Sequence, residues 1–394
     1  MDIFERSLAL HRQTQGKIAV RSLMRLASQD DLSLAYTPGV ARPCEEIARD
    51  PAAAWDLTWK GRTVAIVSDG SAVLGLGDIG PAASLPVMEG KAALFHEFAG
   101  VDAVPVVLDE RDPDRIVEIV RAIAPTFGAI NLEDISAPRC FDIEARLQDI
   151  GIPVLHDDQH GTAIVLLAAL MNAVRAQGRN LASLSVVING AGAAGGAIAR
   201  LLSCKEQDER CVPVGKLRVC DSRGILAPGR ENMTDPKREL AQDTNPDGQQ
   251  GTLQDALRGA DVFIGVSRGN LLTRADVSTM GADSIVFAMA NPVPEIFPDE
   301  ALAGGAQIVG TGRSDLPNQV NNVLAFPGLF RGALEARATR FTNAMKFAAV
   351  DAISQHVKEP TYGTVLPAAF DRSLAVAVAD RVAAAARDRT PVPS

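Results

Sequence analysis

A hydrophobic segment that runs straight into a glycine-rich turn, and then into an apolar helix, constrains this fold more than any other feature. The segment Val186–Asn189 is typical of a buried strand, and the apolar helix follows Gly195. Glycines in such a turn allow a tight bend and a close approach of backbone to pyrophosphate, and the helix N-terminus supplies N–H donors. The turn has G-x-G-x-x-G spacing and comprises Gly190, Ala191, Gly192, Ala193, Ala194 and Gly195. Together these three elements predict a Rossmann-type dinucleotide site.

The end of the next predicted strand bears on which dinucleotide binds. Asp221 closes that strand, where an acidic side chain typically binds the ribose hydroxyls of NAD. A polar insertion before Lys216 explains why Asp221 lies further along than the usual distance of about 20 residues. Arg223 follows, and an arginine there can meet the 2′-phosphate of NADP. We expect NAD or NADP with a preference for NAD; the alternative for Asp221 is an ordinary turn residue.

Strands alternate with helices along most of the chain, which predicts an α/β protein with mostly parallel sheets. The chain has 394 residues, which is longer than a domain with a single hydrophobic core usually is, so we expect two domains. The first would cover residues 1–157 and the dinucleotide domain residues 158–321, with the helices of 322–394 packing back on the first. The predicted strands are Thr63–Ser68, Ala103–Leu108, Ala129–Leu132, Pro153–Leu155, Ser185–Ile188, Leu217–Cys220, Val262–Val266, Ile285–Ala288 and Gln307–Val309, and the main later helices are Thr162–Ala176, Leu329–Val357 and Ser373–Arg387.

Charge and cysteine content exclude several classes of protein. The formal net charge of −9 repels nucleic-acid phosphates and anionic lipid.

No apolar run is long enough to span a bilayer, and the N-terminus lacks a signal-peptide pattern. The five cysteines are odd in number and form no C-x-x-C pair, so we expect neither a disulfide framework nor a zinc ribbon. We predict a cytoplasmic protein that binds neither nucleic acid nor membranes.

Two acidic pairs, Glu133-Asp134 and Asp157-Asp158, follow two strands of the predicted N-terminal sheet. The carboxyl ends of parallel strands carry the chemistry in such sheets, so we expect the pairs to lie together. Gathered carboxylates repel one another unless a cation holds them, and oxygen ligands favour Mg²⁺ or Mn²⁺ over zinc. The alternative is solvated loop residues or helix caps. His156 and His160 are expected to be hydrogen-bonded structural residues.

Short motifs follow one another in order along nearly the full chain. They are YTPGV (36–40), SDGSAVLGLGD (68–78), EGKA (89–92), NLEDI (131–135), HDDQHGT (156–162), the glycine-rich turn, ANP (290–292) and NNVLAFPG (321–328). No single motif is specific, but the whole series in this order resembles the short bacterial-type malic enzymes. The resemblance implies an N-terminal malic-enzyme domain, a Rossmann domain, a homodimer or larger homo-oligomer, and no phosphotransacetylase-like extension.

The resemblance also implies roles for individual residues. The divalent-metal ligands match Glu133, Asp134 and Asp158, and Asp157 matches a residue behind them that contacts the catalytic lysine. The general base matches Lys91, and the general acid matches Tyr36. The residues that hold the dicarboxylate match Asn291 and Asn321, and Asn291 also matches a position near the nicotinamide. Ala72 is a departure, because larger members have a substrate-binding arginine there. A different group must therefore hold the distal carboxylate of the substrate.

The chemistry of lysine and tyrosine sets conditions on these roles. A lysine acts as a base only if its pKa falls from about 10.4 toward neutrality, which a nearby dication and burial favour. Without the resemblance, Lys91 would be interpreted as a surface lysine at the start of a helix. Pro38 and Gly39 predict a turn that projects the Tyr36 phenol, but a lone tyrosine in a turn usually packs. The Tyr36 assignment therefore rests on the resemblance.

The implied reaction is oxidative decarboxylation of L-malate to pyruvate and CO₂ with reduction of NAD(P) and a divalent metal. Three alternatives remain at this point. A malolactic enzyme would keep the nucleotide bound and release lactate. A dinucleotide-binding sensor without activity would not need a base beside a metal site. An oxidoreductase acting on an amino acid or a shikimate-like substrate would not require the paired acids.

Overall fold

The computed structural model describes residues 2–73, 75–205 and 208–388, which form two α/β units that each contain one sheet. Within these ranges the first sheet has the order β2-β1-β3-β4, and all its strands are parallel. The second has the order β10-β9-β8-β5-β6-β7, in which only β7 is antiparallel. The strands are β1 Thr63–Ser68, β2 Asp102–Val107, β3 Ala129–Leu132, β4 Val154–His156, β5 Ser185–Asn189, β6 Lys216–Asp221, β7 Gly224–Ile225, β8 Val262–Gly265, β9 Ile285–Ala288 and β10 Ile308–Thr311. The predicted two-domain α/β fold with parallel sheets is confirmed.

The helices lie before, between and after these strands. The α-helices are α1 Ile3–Thr14, α2 Gln29–Ala35, α3 Ala41–Arg49, α4 Ala54–Leu57, α5 Pro81–Ala99, α6 Pro113–Ile123, α7 Arg139–Arg146, α8 Asp157–Gln177, α9 Ala193–Leu202, α10 Asp235–Thr244, α11 Leu253–Leu257, α12 Arg274–Val277, α13 Pro298–Ala303, α14 Phe326–Glu335, α15 Asn343–His356 and α16 Arg372–Arg387. Short 3₁₀ helices cover Pro51–Ala53, Trp59–Arg62, Ala124–Thr126, Leu181–Ser183 and Asn322–Leu324.

The central strands form because their side chains are apolar at nearly every position. β1 is buried along its whole length, as expected for a parallel strand covered by helices on both faces. β1, β3 and β9 begin and end where the sequence predicted. Helix α8 begins earlier than predicted, at Asp157 rather than Thr162, because Asp157 and Asp158 form its first turn. Carboxylates in a first turn are stabilised by the helix dipole.

The predicted helical stretch 329–357 is two helices, α14 and α15. Thr342 ends the loop between them and caps α15, since its hydroxyl accepts a hydrogen bond from the Met345 N–H. Helix α14 packs against α5 of the first unit, and the ring of Phe95 meets those of Phe326 and Phe330 at centroid distances of 4.7 and 5.3 Å. The domain boundaries at 157 and 321 stay predictions.

We define the N-terminal arm as residues 2–50, which contains helices α1, α2 and α3. None of its residues is buried, and it exposes apolar side chains such as Phe4, Val20 and Leu34. One attachment is to α5, where the Lys17 Nζ donates to the Pro86 carbonyl at 2.7 Å. The sequence patterns did not predict these helices. An arm with so much exposed apolar surface is suited to packing against another protein surface.

The cysteine pattern did not predict the one disulfide that forms among the described residues. Cys204 and Cys211 form a disulfide, and their Cα atoms lie 5.7 Å apart. The two cysteines are seven positions apart in the sequence, so they do not form a C-x-x-C pair. Cys44, Cys140 and Cys220 are free. The cytoplasmic location stays a prediction.

None of the described helices is both long and apolar enough to span a membrane.

Candidate functional site

The two acidic pairs meet because β3 and β4 are neighbours. Leu132 lies opposite His156 in the parallel register, so the residues that follow both strands emerge side by side. Carboxylate oxygens of Glu133, Asp134 and Asp158 all lie within 4.8 Å of one another. The Asp134 N–H also donates to Asp158 Oδ2 at 2.8 Å, which fixes one loop against the other. The geometry therefore brings together the three predicted metal ligands.

These carboxylates are held in an environment that opposes their negative charge. Burial and then repulsion by Asp158 and Glu133 raise the pKa of Asp134 to about 9. Burial likewise raises the pKa of Glu133. Asp134 Oδ2 is buried with no hydrogen-bond partner, and Asp134 has a left-handed backbone with φ of 53°. An unpartnered buried oxygen in a cluster of oxygen ligands fits a hard divalent cation.

Lys91 is the cation that the described residues place beside this cluster. Its Nζ lies 2.5 Å from Asp157 Oδ2 and 2.8 Å from Glu133 Oε1, and 4.1 Å from the centroid of the Phe326 ring. Burial by itself lowers the Lys91 pKa, but attraction by Asp157 and Glu133 outweighs it and raises the pKa. This direction is opposite to the lowered pKa expected from the sequence, because two buried carboxylates contact the ammonium directly.

Asp157 is buried and connects Lys91 to the NNVLAFPG motif (321–328). Its Oδ2 also accepts a hydrogen bond from Asn322 Nδ2 at 2.5 Å. Gly161 lies one helical turn on, where a Cβ would stand 1.9 Å from Asp157 Oδ1, so only glycine leaves room for the carboxylate. Sequence reasoning missed Asn322, although it is the second asparagine of the NNVLAFPG motif. It also missed Asn131, which donates to Glu133 at 2.7 Å from the same face of β3.

Three residues with predicted substrate or acid roles have no contact with Lys91 among the described residues. Tyr36 follows α2 on the N-terminal arm, and 68% of its surface is exposed. Asn321 uses its side-chain oxygen to accept from the Val323 N–H. Asn291 lies in the loop after β9. The next residue, Pro292, lies beside Gly75 of the SDGSAVLGLGD motif, since a Cβ on Gly75 would stand 3.3 Å from its Cδ. Their roles stay predictions.

The two histidines of the HDDQHGT motif behave differently. His160 is a structural residue as predicted, with its Nε2 3.1 Å from Glu144 Oε2. His156 is fully buried, but neither ring nitrogen has a hydrogen-bond partner, so that prediction is wrong. Its Nε2 lies 3.7 Å from Asp158 Oδ2, beyond hydrogen-bond distance. The ring is therefore packed beside Asp158 without a hydrogen bond to it.

The predicted glycine-rich turn borders a cavity of about 840 Å³. Gly190 has φ of 126°, and a Cβ there would stand 2.6 Å from the Val266 carbonyl oxygen. Gly195 packs so closely that a Cβ would stand 1.7 Å from the Gly190 oxygen. Ala193 and Ala194 begin α9, whose N-terminus follows the turn directly. The same cavity is bordered by Ala137, Pro138 and Phe141 of the first unit and by Asn189, Gly192, Asp221, Ser222, Arg223 and Lys237 of the second.

Asp221 closes β6 as predicted, but its carboxylate is already engaged. Arg230 donates to both oxygens at 3.0 and 2.6 Å, and Lys237 Nζ donates at 2.8 Å. Burial would raise the Asp221 pKa, but these hydrogen bonds outweigh it and hold the pKa well below the usual range. Arg223 donates its backbone N–H to Asp221, and its side chain is exposed. The side chains of Asp221, Arg230 and Lys237 together therefore carry more positive than negative charge.

A divalent cation is expected to stabilise the folded protein, and more so as the pH rises. The pKa of Asp134 is about 9 in the folded protein, above the ordinary value of 3.8. The folded protein without a metal therefore loses stability as the pH rises from about 3.8 to about 9. A cation that replaces the proton removes this penalty. At 100 times its dissociation constant, Mn²⁺ should add about 2.7 kcal/mol. Thermal unfolding with Mn²⁺ should show a shift that is larger at pH 8 than at pH 6.

Excess EDTA should return the melting temperature to its metal-free value. The same upward shift with Mn²⁺ in a protein carrying Asp134→Asn would mean that the cation binds elsewhere.

Two family models match the chain and together cover most of it. The malic enzyme N-terminal domain matches residues 14–148, and the malic enzyme NAD-binding domain matches residues 159–387.

Individual relatives are similar over nearly the whole chain. A bifunctional malic/malolactic enzyme of Bacillus subtilis is 54% identical over 98% of this chain and 94% of its own length. An NAD-dependent malic enzyme of Geobacillus stearothermophilus is 49% identical over 100% of this chain and 82% of its own length. An NADP-dependent malic enzyme of Salmonella typhimurium is 46% identical over 95% of this chain but 51% of its own length. The crystal structure of an NAD-dependent malic enzyme from Thermotoga maritima superposes with a TM-score of 0.91 at 45% identity, covering 97% of this chain and 99% of that one.

Proposed function

The chain belongs to the malic enzyme family, and from that premise we propose that it converts L-malate to pyruvate and CO₂ with reduction of NAD or NADP. One observation carries the proposal: the buried Lys91 ammonium lies between Asp157 and Glu133, beside two further carboxylates that can hold a cation. A sensor that only binds dinucleotide does not need such a cluster. An oxidoreductase that acts on an amino acid or a shikimate-like substrate does not require such a cluster.

We propose that Glu133, Asp134 and Asp158 bind Mg²⁺ or Mn²⁺. When bound, the cation would act as a Lewis acid toward the oxygens of malate, and NAD(P) would accept a hydride from C2. Asp158 would contribute an oxygen from α8, and Glu133 and Asp134 would contribute theirs from the end of β3. The unpartnered oxygen of Asp134 supports this assignment.

Lys91 is proposed to accept the proton of the malate C2 hydroxyl as the hydride leaves. A cation held by Glu133 would weaken the attraction between Glu133 and the Lys91 ammonium, which would favour the neutral amine. Asp157 stays in contact with the ammonium and keeps it directed at the cluster. Asn322 supports Asp157 by donating a hydrogen bond to its Oδ2. The 2-keto acid then loses its distal carboxylate as CO₂.

Tyr36 is proposed to give a proton to C3 and so complete pyruvate. The exposed position of the N-terminal arm makes this role depend on assembly, because Tyr36 has no contact with the Lys91 cluster among the described residues. We propose a homodimer in which the arm packs against the second copy. The apolar side chains that the arm exposes support this assembly.

We propose Asn291 and Asn321 as substrate contacts, with Asn291 beside the nicotinamide. The loop that carries Asn291 is fixed by Glu295, whose buried carboxylate accepts the Ala290 N–H at 3.0 Å and the Ser267 N–H at 3.1 Å. Ser267 borders the dinucleotide cavity, so Glu295 links the loop after β9 to that cavity. This connection supports a position between nucleotide and substrate.

The nucleotide preference depends on Asp221. A preference for NAD would need a free carboxylate to bind the ribose hydroxyls, whereas Asp221 is paired with Arg230 and Lys237. The positive charge of Arg230 and Lys237 suits the 2′-phosphate of NADP. We therefore propose that the site accepts NADP as well as NAD.

Replacing Lys237 by glutamine is expected to move the preference toward NAD. The change removes one positive charge and releases part of the Asp221 carboxylate for the ribose hydroxyls. The ratio of kcat/KM for NADP to that for NAD should fall about tenfold, which corresponds to about 1.4 kcal/mol. Lys216→Gln, an exposed lysine at the start of β6, is the matched control and should leave the ratio unchanged. Equal ratios in all three proteins would rule out a role for Lys237 in nucleotide selection.

A malolactic reaction is the second candidate, because the Bacillus subtilis relative is named for both activities. Product analysis separates the two. Incubation with L-malate and excess nucleotide should give pyruvate together with an equal amount of reduced nucleotide. Lactate without net nucleotide reduction would instead support the malolactic reaction.

A further inference from the structure

Glu144 is a buried carboxylate that the proposed reaction does not use. It lies on α7, and only 9% of its surface is exposed. Its Oε1 accepts a hydrogen bond from the His156 N–H at 2.9 Å, and its Oε2 accepts one from Gln159 Nε2 at 3.0 Å. The Nε2 of His160 lies 3.1 Å away. All three of these groups belong to the short segment 156–160.

This segment carries two side chains that must face different ways. Asp157 faces Lys91, with 2.5 Å between Oδ2 and Nζ. Asp158 faces the other carboxylates, and its Oδ2 accepts the Asp134 N–H. The contacts of Glu144 lie on both sides of these two residues in the sequence. A single carboxylate on a neighbouring helix therefore holds the segment before and after the pair.

The charge of Glu144 makes these contacts strong. Burial would raise its pKa, but the attraction and hydrogen bond of His160 and the His156 N–H outweigh burial and lower the pKa to about 2. The carboxylate is therefore negative at neutral pH. Hydrogen bonds to an ionised acceptor are about twice as strong as neutral ones. Removal of the charge would leave buried donors without an equivalent acceptor.

We infer that Glu144 is a positioning residue that fixes the first turn of α8, so that Asp158 faces the metal site while Asp157 faces Lys91. The inference rests on the proposed function, since it concerns the same metal site. Ligand geometry must be held within about 0.5 Å for full activity, and supporting partners of metal ligands typically change metal affinity 10–100-fold when removed. A purely structural ion pair between Glu144 and His160 would change stability without a selective change in metal affinity.

The test compares Glu144→Gln with the wild type and with Glu118→Gln, which changes an exposed carboxylate on α6. Free Mn²⁺ is titrated by electron paramagnetic resonance, and NADH binding is followed by fluorescence, both well below the melting temperatures. The dissociation constant for Mn²⁺ should rise about tenfold in Glu144→Gln and remain unchanged in Glu118→Gln. NADH binding should stay within twofold in both variants, because Glu144 does not contact the glycine-rich turn.

Two results would overturn the inference. Unchanged Mn²⁺ affinity in a folded Glu144→Gln protein would do so, and so would an equal loss of Mn²⁺ and NADH binding. If Glu144→Gln does not fold, Gln159→Met removes one of the two donors to Oε2 and should raise the Mn²⁺ dissociation constant about threefold; no change there would overturn it equally. A wild type that binds no Mn²⁺ would contradict the proposed function itself, which distinguishes the two failures.

Discussion

Replacing Lys91 by alanine should lower kcat for L-malate oxidation about 10³-fold while Mn²⁺ and NADH binding remain. A positioned general base typically contributes 10²–10⁴-fold, and the variant lacks the amine that is proposed to take the hydroxyl proton. The buried carboxylates Asp157 and Glu133 lose their cation, but Mn²⁺ can still neutralise the cluster. Steady-state kinetics with L-malate, together with direct measurement of Mn²⁺ and NADH binding, checks this result.

A second substitution separates the charge of Lys91 from its role as a base. Lys91→Arg keeps a positive charge between Asp157 and Glu133, but an arginine cannot release its proton in a protein. We expect this variant to be about as inactive as Lys91→Ala. Lys216→Ala serves as the control, since Lys216 is exposed. If Lys91→Arg retained activity within tenfold of the wild type, Lys91 would act only as a cation, and its assignment as the base would be wrong.

Asp134→Asn should make the metal-free protein more stable and the enzyme almost inactive. Stability should increase because the change removes a buried carboxyl whose pKa is raised to about 9 by burial and neighbouring charges. Asparagine also tolerates the left-handed backbone at this position. Activity should fall because the variant lacks one proposed ligand, so the Mn²⁺ dissociation constant should rise at least about 100-fold. Thermal unfolding without metal and Mn²⁺ titration measure the two effects in the same sample.

Asp149→Asn is the matched control, since Asp149 is an exposed carboxylate paired with Arg121. It should change neither metal affinity nor turnover. A lower melting temperature of metal-free Asp134→Asn would contradict the account of a repulsive cluster. Unchanged Mn²⁺ affinity would contradict the ligand assignment.

The parts of the fold that the sequence predicted well are those fixed by local pattern. Strand β1 is apolar throughout, and the turn at Gly190 follows a hydrophobic run, so both can be located without knowing their neighbours. The meeting of Glu133 with Asp158 also follows from a local rule, because both follow strands of one parallel sheet. The start of α8 was placed too late, since the polar residues Asp157 and Asp158 obscure the beginning of an apolar helix.

The residues that were missed depend on contacts between distant segments. Asn322 reaches Asp157 across 165 positions of sequence, and no periodic pattern connects the two. The pairing of Asp221 with Arg230 and Lys237 is set by the path of the loop after β7, so a free carboxylate could not be distinguished from a neutralised one. The exposed position of Tyr36 likewise depends on how the N-terminal arm packs. Motif position therefore predicted which carboxylates lie together better than it predicted the individual contacts of each side chain.

The most direct test of the proposed function is an assay of the purified protein with L-malate, with NAD and NADP in parallel, with and without Mn²⁺. Reduced nucleotide and pyruvate are measured in the same reaction. We predict that both form in equal amounts, that both require Mn²⁺, and that each nucleotide supports turnover. Absence of malate-dependent nucleotide reduction, or reduction that is unaffected by complete removal of divalent metal, would contradict the account.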